Sequence, residues 1–180
     1  MKKYVIMAPL LAITATGAFA LDIVAGMKLG FSNYANYYYP GYYYDLSATA
    51  KSTGFGSFSS LGWKYLDINA GFFWDVATVK REGRGEEIEV TSSAVQLGLY
   101  FKFPITFSSR FRLFPTVGAD FDFIIDISPD DYIWFTVGGG LGADVVLFQN
   151  MFLRTVVMGG YDFFRERDGL VFKVGAGWLL

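Results

Sequence analysis

From residue 111 to residue 127 every second side chain is apolar: Phe111, Leu113, Pro115, Val117, Ala119, Phe121, Phe123, Ile125 and Ile127, with no polar residue among them. The positions between read Arg112, Phe114, Thr116, Gly118, Asp120, Asp122, Ile124 and Asp126, and carry all of the charge. Successive side chains of a strand point to opposite faces, whereas a helix would scatter both sets around its circumference. The segment therefore reads as a strand with one apolar and one polar face. The same rhythm runs through residues 21–32, 54–66, 67–80, 90–103, 131–148, 151–164 and 169–180, which makes eight strands. The connections alternate in kind. Those after the first, third, fifth and seventh strands (33–53, 81–89, 128–130 and 165–168) are long or charged. Those after the second, fourth and sixth are a step at 66–67, residues 104–109 and the pair Gln149-Asn150. The pattern predicts one antiparallel meander with its longer loops gathered at one end.

The first twenty residues stand apart. Met1, Lys2 and Lys3 form a short positive start, residues 4–15 an apolar stretch, and Ala18-Phe19-Ala20 the small-x-small pattern that a signal peptidase needs. The expected organisation is a signal peptide over residues 1–20 and a single domain over 21–180. Without Lys2 and Lys3, thirteen basic side chains face seventeen acidic ones. No basic run remains that could track a phosphate backbone, so nucleic acid is not an expected partner. The chain has no Cys and no His. That excludes disulfides, thiolate and zinc chemistry and the Ser-His pairs of hydrolases; neither a cofactor nor a catalytic or metal site is expected.

A meander of this size can close with its apolar face inward, as a soluble barrel, or outward, toward lipid. Side-chain size decides. The polar face carries Gly26, Gly30, Gly71, Gly98, Gly118, Gly138, Gly140, Gly142, Gly160, Gly175 and Gly177 among its charges, and small residues suit the narrow interior of eight strands. The apolar face carries Phe72, Trp74, Leu97, Leu99, Phe101, Phe121, Val145, Leu147, Val157, Phe172 and Trp178, which would overfill that interior. The predicted fold is all-β, an eight-stranded antiparallel up-and-down transmembrane β-barrel. Trp63, Tyr65, Phe101, Phe103, Phe111, Phe148 and Trp178 fall at the short-turn ends, and Phe31, Phe55, Phe123, Tyr161 and Phe163 toward the long-loop ends, as two interfacial girdles would. Closure leaves no unpaired edge in hydrocarbon. Pro115 removes a ladder donor from its strand and is expected near a rim. An exported barrel belongs in a bacterial-type outer membrane, with termini and short turns periplasmic.

The final strand, with Phe172, Val174, Ala176, Trp178 and Leu180 on one face, resembles the C-terminal assembly signal of the small outer-membrane barrels of the OmpX, OmpA and OmpW kind. Here the aromatic stands two residues before the terminal Leu. The resemblance implies that outer-membrane lipid and the barrel-assembly machinery are partners. The enzymes of that family resemble one another in using His beside Ser, and this chain has no His to place there, so it is not expected to be an enzyme. The polar face is expected to place Lys28, Lys64, Lys102, Arg112, Arg154 and Lys173 in the lumen with Asp22, Asp67, Asp75, Asp120, Asp122, Asp144 and Asp162. Nearly balanced signs predict internal pairing, above all between Asp144 and Arg154, which flank the short turn at Gln149-Asn150. Asp120 and Asp122, two apart on one face, are a weaker candidate for cation or acid-base chemistry. The glycines from Gly138 to Gly142 read as barrel wall. In the first loop Tyr37, Tyr38, Tyr39, Tyr42, Tyr43 and Tyr44 form a cluster suited either to contact with an extracellular protein or host ligand or to resting on lipid headgroups. Glu86, Glu87 and Glu89 read as a solvated loop tip. The expected function is non-enzymatic: adhesion, partner contact or envelope integrity through surface loops, over a lumen plugged by charge. The alternative is an OmpW-like conduit or channel for small molecules.

Overall fold

The computed structural model describes residues 21–34, 48–81, 87–125, 133–162 and 167–180. The expected signal peptide, the tyrosine cluster from Tyr37 to Tyr44, Glu86, the 128–130 turn and Phe163 lie outside those residues. Among the described residues nine strands follow in chain order: β1 (Asp22–Tyr34), β2 (Ala48–Gly62), β3 (Leu66–Arg81), β4 (Glu87–Lys102), β5 (Ile105–Ser108), β6 (Phe111–Ile124), β7 (Ile133–Val146), β8 (Met151–Asp162) and β9 (Arg167–Leu179). Each pairs antiparallel with its neighbours, in the order β4-β3-β2-β1-β9-β8-β7-β6-β5, and a β4–β6 pairing closes the wall. The first and last strands meet in register from Asp22↔Leu179 to Tyr34↔Arg167. A closed wall leaves no long edge unpaired.

The wall nonetheless has eight staves, because β5 is the end of β4. Phe101 pairs with Val117 and Lys102 with Thr116, the Phe103 amide donates to Pro115 O at 3.0 Å, and Ile105 pairs with Leu113 in the same register. The sequence pattern predicts a connection over residues 104–109; instead, residues 105–108 continue the ladder as β5. The hairpin runs on to a tight turn at Ser109-Arg110. Proline explains the interruption. Pro104 has no amide to donate, and it falls just past the point where β3 has ended, since Lys102 donates to Tyr65 O at 3.0 Å and β3 begins at Leu66. Pro115 sits at the same level, opposite Phe103, near the rim on the short-turn end.

Two strand starts move by three residues or more. β2 begins at Ala48, six residues before the expected start, and β4 at Glu87. The β2 extension still alternates inside and outside, with Ala50 and Ser52 buried and Thr49, Lys51 and Thr53 exposed, but its outward side chains are polar, and in the β4 extension Glu87, Ile88 and Glu89 are all exposed. Polar residues facing outward erase the hydrophobic contrast that marks a strand. Glu87 and Glu89 therefore lie on a strand, not on a loop tip, and Glu87 pairs with Lys80 across the β3–β4 ladder at 2.6 Å.

The faces are those the alternation assigns. Phe72, Trp74, Leu97, Leu99, Phe101, Phe121, Val145, Leu147, Val157, Phe172 and Trp178 are all exposed on the outside, while charged groups from β1, β3, β4, β6, β7, β8 and β9, and serines from β2, are buried inside. Lys64 is a correction: it stands exposed on the β2–β3 turn, over the Tyr65 ring, and not in the lumen. The lumen also holds large rings that charge and glycine alone do not suggest: Phe58, Tyr100, Phe114, Trp134 and Phe152 are buried there. Glycines on the lumen face of other strands seat them. A Cβ on Gly142 would collide with Phe114, one on Gly177 with Phe152, and one on Gly118 with Tyr100.

Candidate functional site in the barrel lumen

At the end of the barrel where the short turns and the two chain ends gather, six charged side chains cross the lumen. Asp22 comes from the start of β1, Asp67 from the start of β3, Lys102 from the end of β4, Arg112 from the start of β6, Asp144 from β7 and Arg154 from β8. Period-two geometry aims all six inward. Ladder register sets Arg112 opposite Asp144, and Asp144 opposite Arg154, in one row across β6, β7 and β8. Arg154 donates to Asp144 through Nε at 2.7 Å and Nη2 at 3.0 Å, and its other hydrogens reach Asp22 at 3.1 Å and Asp67 at 3.4 Å. Lys102 donates to the same two carboxylates, at 2.9 Å for Asp22 and 2.7 Å for Asp67. Arg112 completes the set on Asp144 at 3.0 Å. Three carboxylates and three cations balance. The rings of Phe114 and Phe152 cover the Arg154 guanidinium, at 5.1 Å and 5.0 Å from their centroids, which replaces lost hydration with ring quadrupoles.

Higher in the lumen two lysines reach carboxylates through neutral intermediaries. Lys28 donates to Gln96, which in turn donates to Asp122 at 2.5 Å, and the Lys28 ammonium lies 4.8 Å from the centroid of Phe73. Tyr100 donates to Asp120 and accepts from Lys173 at 3.5 Å. Arg167, at the first residue of β9, donates to Ser32 at 2.8 Å and lies over the Trp134 ring. Asp75 and Asp162 are buried in the same upper half. Asp120 and Asp122 thus each have a neutral donor between themselves and a lysine, and among the described residues no group of carboxylates is arranged to hold a metal ion. Gln96, Tyr100 and Phe73 are the functional neighbours that a reading based on charge passes over; their signal was their place on the inward face.

Two cavities flank this middle layer. One, of about 50 Å³, lies toward the loop end among Lys28, Phe73, Gln96, Asp122 and Arg167. The other, of about 20 Å³, lies between the middle layer and the six-charge network. They have room for a few water molecules and about one, respectively.

A closed antiparallel wall with bulky apolar side chains outside and paired charges inside is a transmembrane β-barrel, since water would reject the exterior and lipid would reject the interior. No family model and no curated protein matches the chain. Among solved structures it is similar to Ail, the attachment invasion locus protein of Yersinia pestis, at 12% identity and a TM-score of 0.47 over 89% of this chain and 97% of that one. It is similar to the N-terminal β-barrel domain of Pseudomonas aeruginosa OprF at 11% identity and a TM-score of 0.47, over 89% and 98% of the two chains. A de novo designed transmembrane β-barrel is similar at 14% identity and a TM-score of 0.43, over 89% and 96%.

Proposed function

We propose that this protein is a non-enzymatic barrel of a bacterial-type outer membrane whose lumen is closed to ions, and which acts on its surroundings through its surface loops, in adhesion, partner contact or envelope integrity. In this reading the termini and short turns are periplasmic, and outer-membrane lipid and the barrel-assembly machinery are its partners. One observation carries it: Arg154 and Lys102 both bridge Asp22 and Asp67, so cations from β4 and β8 are tied to carboxylates from β1 and β3 across the bore. An ion entering there must displace a neutral, buried, mutually bonded set, and an uncompensated charge left in such a place costs several kcal/mol, about 3 to 5 for a broken buried pair. The small volumes on either side of the middle layer agree with a filled interior. The conduit alternative draws on the larger cavity toward the loop end. Single-channel recording of the purified barrel in a planar bilayer separates the two. No steady conductance is expected; stable, voltage-independent openings would replace the closed barrel with the conduit.

A further inference from the structure

Lys173 is 5% exposed, yet among the described residues it takes part in no ion pair. Its ammonium donates to Tyr100 Oη at 3.5 Å and lies 4.5 Å and 5.9 Å from the ring centroids of Tyr100 and Phe58. Among the described residues its hydrogen-bonded route to a carboxylate runs through the Tyr100 hydroxyl to Asp120. Register makes the situation harder, since Lys173 stands directly opposite Lys28 in the β1–β9 ladder, and like charges opposed in this way repel. Lys28 turns toward Gln96 and the upper cavity, which Asp120 and Asp122 also line. Lys173 faces the other way, into the cavity of about 20 Å³.

Among apolar walls of Phe58, Val156 and Met158, that cavity gathers several donors. Ser60 lines it, 6% exposed, with a hydroxyl that has no hydrogen-bond partner among the described residues. Asn69 and the buried Thr116 line it beside Lys173. Its carboxylate, Asp67, is already held by Lys102 at 2.7 Å and Arg154 at 3.4 Å, inside a network that is neutral by itself. Among the described residues the Lys173 ammonium thus touches no carboxylate directly, and the buried Ser60 hydroxyl has no partner. A buried charge and a buried hydroxyl both require partners. We propose that this cavity binds one small monovalent anion of halide size, held by the Lys173 ammonium and the Ser60 hydroxyl, with chloride the anion of the right charge and radius.

The test uses the refolded barrel in detergent micelles, with its unfolding midpoint followed by loss of the compact gel band. Chloride is exchanged for gluconate at constant ionic strength, because gluconate carries the same charge and is too large for the cavity. The wild-type midpoint should rise with chloride and saturate. In Lys173→Met and in Ser60→Val the apparent chloride affinity should fall at least about tenfold. Wild-type midpoints that coincide in chloride and gluconate would mean that the cavity holds only water and would overturn the proposal. So would an undiminished chloride response in the variants. Should Lys173→Met fail to refold, Ser60→Val, which keeps the strand and removes only the donor, decides the matter alone. Bilayer conductance does not enter this test, so its outcome is independent of whether the lumen conducts.

Discussion

Arg154 touches three carboxylates, and that changes what its removal does. Pairing with Asp144 alone would let an apolar replacement of both partners restore stability. In the structure that double replacement strands Arg112 and leaves Asp22 and Asp67 to share Lys102. The informative compensation is elsewhere. Arg154→Met should cost about 3 to 5 kcal/mol, because three carboxylates then face two cations in a buried site. Adding Asp67→Asn restores neutrality with Asp22 still on Lys102 and Asp144 still on Arg112. Urea titration of the two variants should show the double more stable than Arg154→Met by at least about 1 kcal/mol; additive losses would mean that net charge in the network is not what matters. Ring seats make a second case. Phe152 is wholly buried and its edge rests where a side chain on Gly177 would begin. Gly177→Ala should therefore cost about 1 to 3 kcal/mol, as overpacking does. Phe152→Leu in the same chain should return part of that loss, and a harmless Gly177→Ala would show that the ring has room to move.

At the scale of the strand, the β4–β5 continuation shows how proline edits a ladder without ending it. Phe103 donates to Pro115 O, so the face of Pro115 that lacks a hydrogen looks at the Phe103 carbonyl. Pro115→Val supplies that donor. Thermal unfolding should show it as stable as the wild type or more so, by up to about 1 kcal/mol, the net worth of one hydrogen bond; a clear loss would assign Pro115 a packing role instead. Strand ends also test the proposed orientation. The chain has no Cys, so single cysteines report without background. Thr49→Cys at the exposed start of β2 should react with a membrane-impermeant maleimide on intact cells, and Ser109→Cys, at the turn between β5 and β6, should be protected until the outer membrane is opened. The reverse pattern would invert the barrel.

For the whole molecule, closure is the dominant fact. Each wall strand is hydrogen-bonded on both sides, so unfolding must break two ladders at once, and lipid offers the freed backbone no replacement for those bonds. Purified residues 21–180 should show a β-type circular dichroism spectrum in detergent and migrate differently on gels before and after boiling. A chain that stays soluble and monomeric without detergent would contradict an exterior lined by Met27, Leu29, Leu141 and Phe172.

Strand number, the direction of each face and the pairing order all follow from a period of two joined to connection lengths, because a side chain's side is fixed by its parity alone. That is why the outward position of Phe72 and Trp178 and the inward position of Asp144 and Arg154 were legible, and why the turn at Gln149-Asn150 brings the latter two into line. Parity also puts Lys64 inside, but a turn residue has no parity, and Lys64 is on a turn. What parity cannot supply is depth. Which inward groups share a level depends on the stagger between strands, and only the closed register brings Lys102 of β4 and Arg154 of β8 to the same two carboxylates, or sets Lys28 against Lys173. Ring seats are hidden for the same reason, since Phe114 needs Gly142 on the neighbouring strand and neither residue signals the other along the chain. The local chain determined the faces; closing the barrel decided the neighbours, because lumen contacts join residues that only the register of the whole sheet brings together.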